Sequence, residues 1–404
     1  MIRGACPSLQ RPMATGDGLL VRLQLAEPML APGQVLGLAE AAFRYGNGIL
    51  DITARGNIQL RGLDEKGVAS LTGEIGRLGI GHQTGPAVAM SPLAGLDPFE
   101  MSDPRPLAAE LRHEMQQLSL HPKTGILLDS GGQFDLGQRS ADIRLSAVAR
   151  QCWQLSLGGH GPVGVAEEKH VLPILRRLLG RLTEYSPAVR TASLLEDFPG
   201  EALLRLLEKE GLAPPVAQIA RSSAPPAIYK CRGGSMALPV GVPFGQVEWG
   251  QLKTLAKLAQ DNGAHISPAP GRVILLAGLG EGAIRDLRRH LEESGFITAQ
   301  NDPRHRLSAC SGAPACASAH IAARDIARSL IPHMPERGLV HVSGCAKGCA
   351  HQGPSRLALV GLPGGAIAMG PGGPDDLNLA RTRICSPEGA AAAFRAALAE
   401  EDVH

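Results

Sequence analysis

Residues 33–63 read GQVLGLAEAAFRYGNGILDITARGNIQLRGL, and residues 245–279 read GQVEWGQLKTLAKLAQDNGAHISPAPGRVILLAGL. In each, Gly-Gln-Val leads into apolar residues at helical period. A glycine then stops the helix and a β-type run ends in Gly-Leu. The β-type runs are Ile49–Leu60 and Ala264–Leu276. A strand is expected before each helix, at Gly18–Leu25 and Ser235–Val240, and an amphipathic helix after each run, at Gly67–Leu78 and Ile284–Ser294. Two β-α-β modules more than two hundred positions apart point to an internal duplication.

Between the copies, ILLDSGGQFD (126–135) reads as a strand and turn, ADIRLSAVA (141–149) as the next strand, and 169–184 and 189–210 as helices. Ala213–Pro226 carries four prolines and is the candidate linker. The expected division is 1–75 for a first half-domain, 76–225 for an α/β lobe, 226–300 for a second half-domain and 301–404 for a second lobe.

The 404 residues carry a formal charge of +2, which excludes a strongly basic nucleic-acid binder. No apolar run is long enough to span a membrane. The opening MIRGACPSLQRP lacks a signal-peptide core, so a cytoplasmic location is expected. Thirty-two of the forty basic residues are Arg. That suits a polyanionic substrate, although a GC-rich genome accounts for it as readily. Gly278-Leu-Gly280-Glu-Gly282-Ala283 imitates a dinucleotide fingerprint. The first module has no such glycines at that point, so a tight turn is the better reading and electrons are expected from a separate partner.

Eight cysteines are present, at 6, 152, 231, 310, 316, 345, 349 and 385. In a reducing compartment they argue for a metal, a cluster or buried thiols before disulfides. Four are paired, as Cys310-Ser-Gly-Ala-Pro-Ala-Cys316 and Cys345-Ala-Lys-Gly-Cys349. Four thiolates can hold an iron–sulfur cube, and the surrounding glycines and alanines let backbone amides approach its sulfides. Zinc prefers shorter knuckles than the five-residue gap beside proline. A helical turn at 345–349 would set both thiols on one face. The unpaired Cys6, Cys152, Cys231 and Cys385 read as packing residues. His341 and His351 flank the second pair and are candidates for a further iron.

These cysteine motifs, with Thr53-Ala-Arg55-Gly-Asn57-Ile-Gln59 and the duplication, resemble the nitrite/sulfite reductase family. The stretches DPRHRLSACSGAPACASA (302–319), HVSGCAKGCAHQGP (341–354) and SPLAGLDP (91–98) look closest to its oxygen-dependent, cobalamin-pathway branch. The resemblance implies an α+β fold, with two pseudo-symmetric ferredoxin-like half-domains and two α/β lobes gripping a tetrapyrrole. It implies that Cys310, Cys316, Cys345 and Cys349 ligate a [4Fe–4S] cluster. Arg55 matches an arginine that binds the anion or the tetrapyrrole carboxylates, and Lys123 one of two lysines of the reductases' anion cage. The second cage lysine falls near Gly125, so that cage looks incomplete.

Arg55, Asn57 and Gln59 alternate with period two and form a polar stripe on one strand face. With Lys123 and with Lys347, inside the second cysteine turn, they are the expected substrate-binding set, and Arg55 and Lys123 the expected catalytic residues. The branch resembled is a monooxygenase that hydroxylates precorrin-3A at C20 and closes a γ-lactone. Its expected requirements are dioxygen, an external reductase or ferredoxin-like donor, the cluster and a candidate non-haem iron. The alternatives are a sirohaem-dependent sulfite or nitrite reductase, and a non-catalytic iron–sulfur or zinc protein that binds tetrapyrroles or senses redox state.

Overall fold

In the computed structural model, residues 7–121, 123–137, 139–158, 161–185, 205–217, 227–351, 353–373 and 382–401 are described. The first module contains β1 (Met13–Thr15), β2 (Gly18–Leu23), α1 (Pro32–Tyr45), β3 (Ile49–Ile52), β4 (Ile58–Leu63) and α2 (Glu65–Arg77). Helix α2 starts where the Asp64 carboxylate accepts the Gly67 N–H at 2.6 Å, with Glu65 in its first turn and Arg77 in its last, matching the helix dipole. The run Ile49–Leu60, expected as one strand, is two. It folds back at Thr53–Asn57, so Leu50 pairs with Leu60 and Ile52 with Ile58. Thr53 closes this turn: its Oγ1 accepts the Arg55 and Asn57 N–H groups (3.3 and 3.0 Å), and Gly56 supplies a φ of +78°.

The next segment holds β5 (Ala87–Met90), α3 (Arg105–Gln116), β6 (Gly125–Asp129), β7 (Ile143–Ala149), β8 (Cys152–Leu157), β9 (Pro162–Glu167) and α4 (Glu168–Tyr185). The expected helix at 169–184 is α4. Most of the helix expected at 189–210 and the linker beyond Ala217 lie outside the described residues.

The second module follows, with β10 (Tyr229–Lys230), β11 (Met236–Gly241), β12 (Gln246–Glu248), α5 (Trp249–Asp261), β13 (His265–Ala269), β14 (Val273–Leu279) and α6 (Ile284–Glu293). Here too the expected single run is a hairpin, β13–β14, turning at Pro270–Arg272. The last segment holds β15 (Leu307–Ala309), α7 (Ala323–Leu330), β16 (Val340–Ser343), β17 (Ser355–Gly361), β18 (Ile367–Gly372), β19 (Arg383–Cys385) and α8 (Ala390–Glu401). Among the described residues no helix is long and apolar enough to cross a membrane.

The two modules exchange edges. Strand β12 of the second pairs antiparallel with β3 of the first, Val247 opposite Leu50, while Leu30 of the first bridges Ile266 of the second. Helices α1 and α5 pack together, and one apolar core runs through both modules, joining Leu38, Leu50 and Leu60 to Leu255, Ile266 and Leu276. The Gly-Gln-Val match of the sequence is out of register. Gln34 sits three residues into α1; its Oε1 accepts the Ala31 N–H (2.9 Å) and its Nε2 donates to Leu78 O (3.1 Å). Gln251, not Gln246, does this for α5, accepting from Glu248 N–H (3.0 Å) and donating to Ser294 O (2.9 Å). Each glutamine thereby ties the start of its module's first helix to the end of the second.

The two remaining sheets run β5-β6-β7-β8-β9 and β15-β16-β17-β18-β19. In both, the first two pairings are parallel and the last two antiparallel. The duplication therefore extends beyond the modules to the lobes, where the sequence carries no visible repeat.

Candidate active site

A cleft of about 850 Å³ lies between the first module and the first lobe. Arg11, Arg22, Arg55, Lys123 and Arg139 line it, with amide side chains such as Gln24 and Asn57, and its described lining contains no Asp or Glu. In a chain of net charge +2, five cations on one concave surface concentrate a positive potential. Burial, and after it the charges of Arg55 and Arg144, pull the Arg139 pKa down to about 10.

Arg55 and Asn57 stand in this lining, but not as a strand stripe. Arg55 lies in the β3–β4 turn, where its backbone bridges to Pro270 in the turn of the other module. Gln59 is on β4 directly opposite Arg22 of β2, and does not line the cleft. With its amide oxygen facing Arg22 it accepts from Nε and Nη2 at 3.0 and 2.9 Å, so it positions Arg22. Lys123, whose N–H donates to His121 Nδ1 (3.1 Å), shares the cleft with Arg55. Lys347 stays with the cysteine loops, its Nζ 2.9 Å from Ser318 Oγ, and is not part of the cleft lining.

The cysteines gather because β15 and β16 are parallel neighbours and both pairs follow the same ends of those strands. Cys310 N–H donates to Val342 O (3.3 Å), and Gly344 N–H donates to Cys310 Sγ (3.0 Å). Burial raises the Cys349 pKa, and the nearby Cys310, Cys345 and Cys316 raise it further. Gly312 and Gly344 permit this crowding: a Cβ on Gly312 would lie 2.4 Å from Ala323 N, and one on Gly344 2.6 Å from Ala319 Cβ. The helical turn expected at 345–349 is instead a pair of tight turns, with Gly348 at φ +58°. Among the described residues no three His, Cys, Asp or Glu side chains converge on one metal ion. A cube asks for less convergence, because each thiolate reaches a different iron.

His341 is fully buried on β16, and neither ring nitrogen has a hydrogen-bond partner. Burial, with His351 and Arg272 nearby, pushes its pKa down to about 4. Of the unpaired cysteines, Cys231 is buried and Cys152 and Cys385 are half-buried, while Cys6 lies outside the described residues.

A buried ionic chain joins the first module to the cysteine loop. Arg324 Nη2 donates to Asp51 Oδ1 at 2.6 Å, Arg61 Nη1 lies 3.5 Å from Asp51 Oδ2, and Arg61 also pairs with Asp17 and donates to Ala315 O at 2.6 Å. On the other side Arg272 donates to Ala350 O, beside Cys349, at 2.6 Å. The sequence reading missed Arg11, Arg22 and Arg139 in the cleft and this ionic chain. Only the pairing of β2 with β4, which local pattern does not reveal, marks Arg22.

The chain is 41% identical over 381 residues to precorrin-3B synthase from Sinorhizobium sp, spanning 90% of this chain and 82% of that protein. It belongs to the precorrin-3B synthase family. Residues 11–78 match the nitrite/sulfite reductase ferredoxin-like half domain. A ferredoxin–nitrite reductase from Leptolyngbya laminosa is 32% identical over 108 residues, 25% of this chain and 21% of that one. The solved structure of the Mycobacterium tuberculosis NirA protein superposes with a TM-score of 0.75 over 93% of this chain and 79% of that chain, at 18% identity. This precorrin-3B synthase family member therefore has the α+β nitrite/sulfite reductase-like fold that the sequence resemblance implied, with several sheets and pseudo-symmetric halves.

Proposed function

We propose that the chain converts precorrin-3A into precorrin-3B with dioxygen as co-substrate. A hydroxyl enters at C20, and the ring A acetate closes a γ-lactone at C1. One oxygen atom enters the product and the other leaves as water. An external donor, a reductase or ferredoxin-like protein, supplies the two electrons that balance the step, with two protons. The observation that carries this reading, beside family membership, is the cleft itself: five cations, no described carboxylate, and room for a macrocycle. A polycarboxylated tetrapyrrole neutralises such a surface, and guanidinium forks fix its carboxylates in register so that one meso carbon is presented to oxygen.

The four cysteines fit an iron–sulfur cluster. Four thiols whose charges oppose one another are held at two strand ends, a crowding that bound iron compensates. Cys310, Cys316, Cys345 and Cys349 would hold a [4Fe–4S] cluster, which supplies one-electron relay when bound. The turn carrying Arg55 reaches this region through Pro270 and Arg272, whose guanidinium grips Ala350 O. Cleft and cysteine loops are thus one hairpin turn apart.

Anaerobic purification with iron and sulfide analysis, visible and EPR spectra, and turnover of precorrin-3A with and without dioxygen tests this. A cluster signal without haem, and oxygen-dependent product with one labelled oxygen from ¹⁸O₂, is expected. Sirohaem bands with sulfite or nitrite reduction would overturn it in favour of a reductase, and zinc without iron would overturn both readings. Cys345→Ser should abolish the cluster signal, whereas Cys231→Ser should preserve it.

A further inference from the structure

Most arginines near the cleft already have partners. Arg144 donates to the carbonyls of Leu136, Gly137 and Arg139 and lies 3.7 Å from Asp129; Arg22 is held by Gln59; Arg61 is held by Asp17 and Asp51. Arg55 and Arg139 differ. Neither guanidinium makes a hydrogen bond or ion pair with any described residue, yet both line the main cleft and also a smaller recess beside it, with Gly56, Asn57 and Pro270. They come from different units, Arg55 from the β3–β4 turn of the first module and Arg139 from the β6–β7 connection of the first lobe. The Arg139 backbone is anchored, its N–H donating to Leu136 O (3.0 Å) and its carbonyl accepting from Arg144 Nη2 (2.6 Å).

We infer that Arg55 and Arg139 form a two-guanidinium subsite that grips a single carboxylate of the tetrapyrrole across the junction of module and lobe. This rests on reading the cleft as the tetrapyrrole site. Two like charges facing one recess repel, and Arg139 responds with a lowered pKa. One bound carboxylate turns that repulsion into two charge-assisted hydrogen bonds, one oxygen for each guanidinium. Arginine suits this subsite better than lysine, because it keeps its charge and presents a planar fork even when desolvated. Arg139 is thus a substrate-positioning residue, and its role is shared with Arg55.

Fluorescence titration of the holoprotein with coproporphyrin, a tetracarboxylate, and with its tetramethyl ester tests the subsite. Wild type should bind the free acid more tightly than the ester. Arg139→Gln should weaken acid binding about 10- to 100-fold, the range for a hydrogen bond to a charged group, and leave ester binding unchanged. The ligand-free variant should melt no lower than wild type, because it removes a repulsion; an arginine serving the fold would lower the melting temperature. Arg139→Lys should recover part of the affinity. Arg55→Gln combined with Arg139→Gln should bind little worse than either alone, because the two share one carboxylate. Additive losses would overturn the shared subsite, as would wild-type acid affinity in Arg139→Gln. Equal wild-type affinity for acid and ester would instead sink the tetrapyrrole reading of the cleft, and this inference with it.

Discussion

Glu100 is a carboxylic acid held where charge is unwelcome. Its oxygens accept from the Gly95 N–H (2.9 Å) and the Ser130 hydroxyl (3.0 Å), bonds that favour ionisation. Burial outweighs them and, with Asp97 and Asp103 nearby, raises the pKa to about 7. The unfolded chain releases this proton near the ordinary value of 4.5, so between there and about 7 the native state binds more protons than the unfolded state. The stabilisation is complete below the unfolded value and is lost as pH rises through about 7. Glu100→Gln should flatten that slope and gain on the order of 1 kcal/mol at pH 8, a figure discounted for partial exposure. Urea unfolding at pH 5 and pH 8 checks this; an unchanged slope in the variant would refute it. Neither Glu100 nor Arg139 was visible beforehand, because what distinguishes each is a neighbourhood assembled from distant segments. The cysteines were visible because their spacing is local and their chemistry restrictive.

At the scale of elements, α1, α2, α5 and α6 were legible because a 3.6-residue period belongs to one segment alone. The hairpins were not, since a tight turn leaves period-two alternation intact on either side of it. Gly56 is where that matters most. A Cβ there would lie 2.9 Å from Ala269 C and 3.0 Å from Pro270 N, at a φ that other residues avoid. Gly56→Ala should therefore cost about 1–3 kcal/mol and push the Arg55 turn off Pro270. Gln251→Ala loses two hydrogen bonds far from the cleft and should cost about 1–2 kcal/mol. Coproporphyrin binding separates the two: it should weaken in Gly56→Ala and persist in Gln251→Ala. Equal binding in both would show that the turn does not set the cleft.

For the whole molecule, duplication explains the architecture, and the differences between copies carry the chemistry. Where the second lobe places cysteines after its first two strands, the first places Ser91–Asp97 and Asp129–Gln133, joined by Asp97 accepting from the Gln133 side chain at 3.0 Å. Asp51 is the joint between module and cysteine loop, 5% exposed and facing both Arg324 and Arg61, while Arg61 and the Gly16 N–H hold Ala315 O. Asp51→Asn leaves two buried guanidiniums without their shared anion and should cost about 3–5 kcal/mol. Because Ala315 directly precedes Cys316, the loop should also lose its fixed position, and iron per folded chain should fall. Arg55→Gln, at the cleft, should leave iron content unchanged. Iron stoichiometry and unfolding of both variants after anaerobic purification decide the matter. A fully loaded Asp51→Asn protein that melts like wild type would mean the cysteine loop is held by its own turns and not by the module beside it.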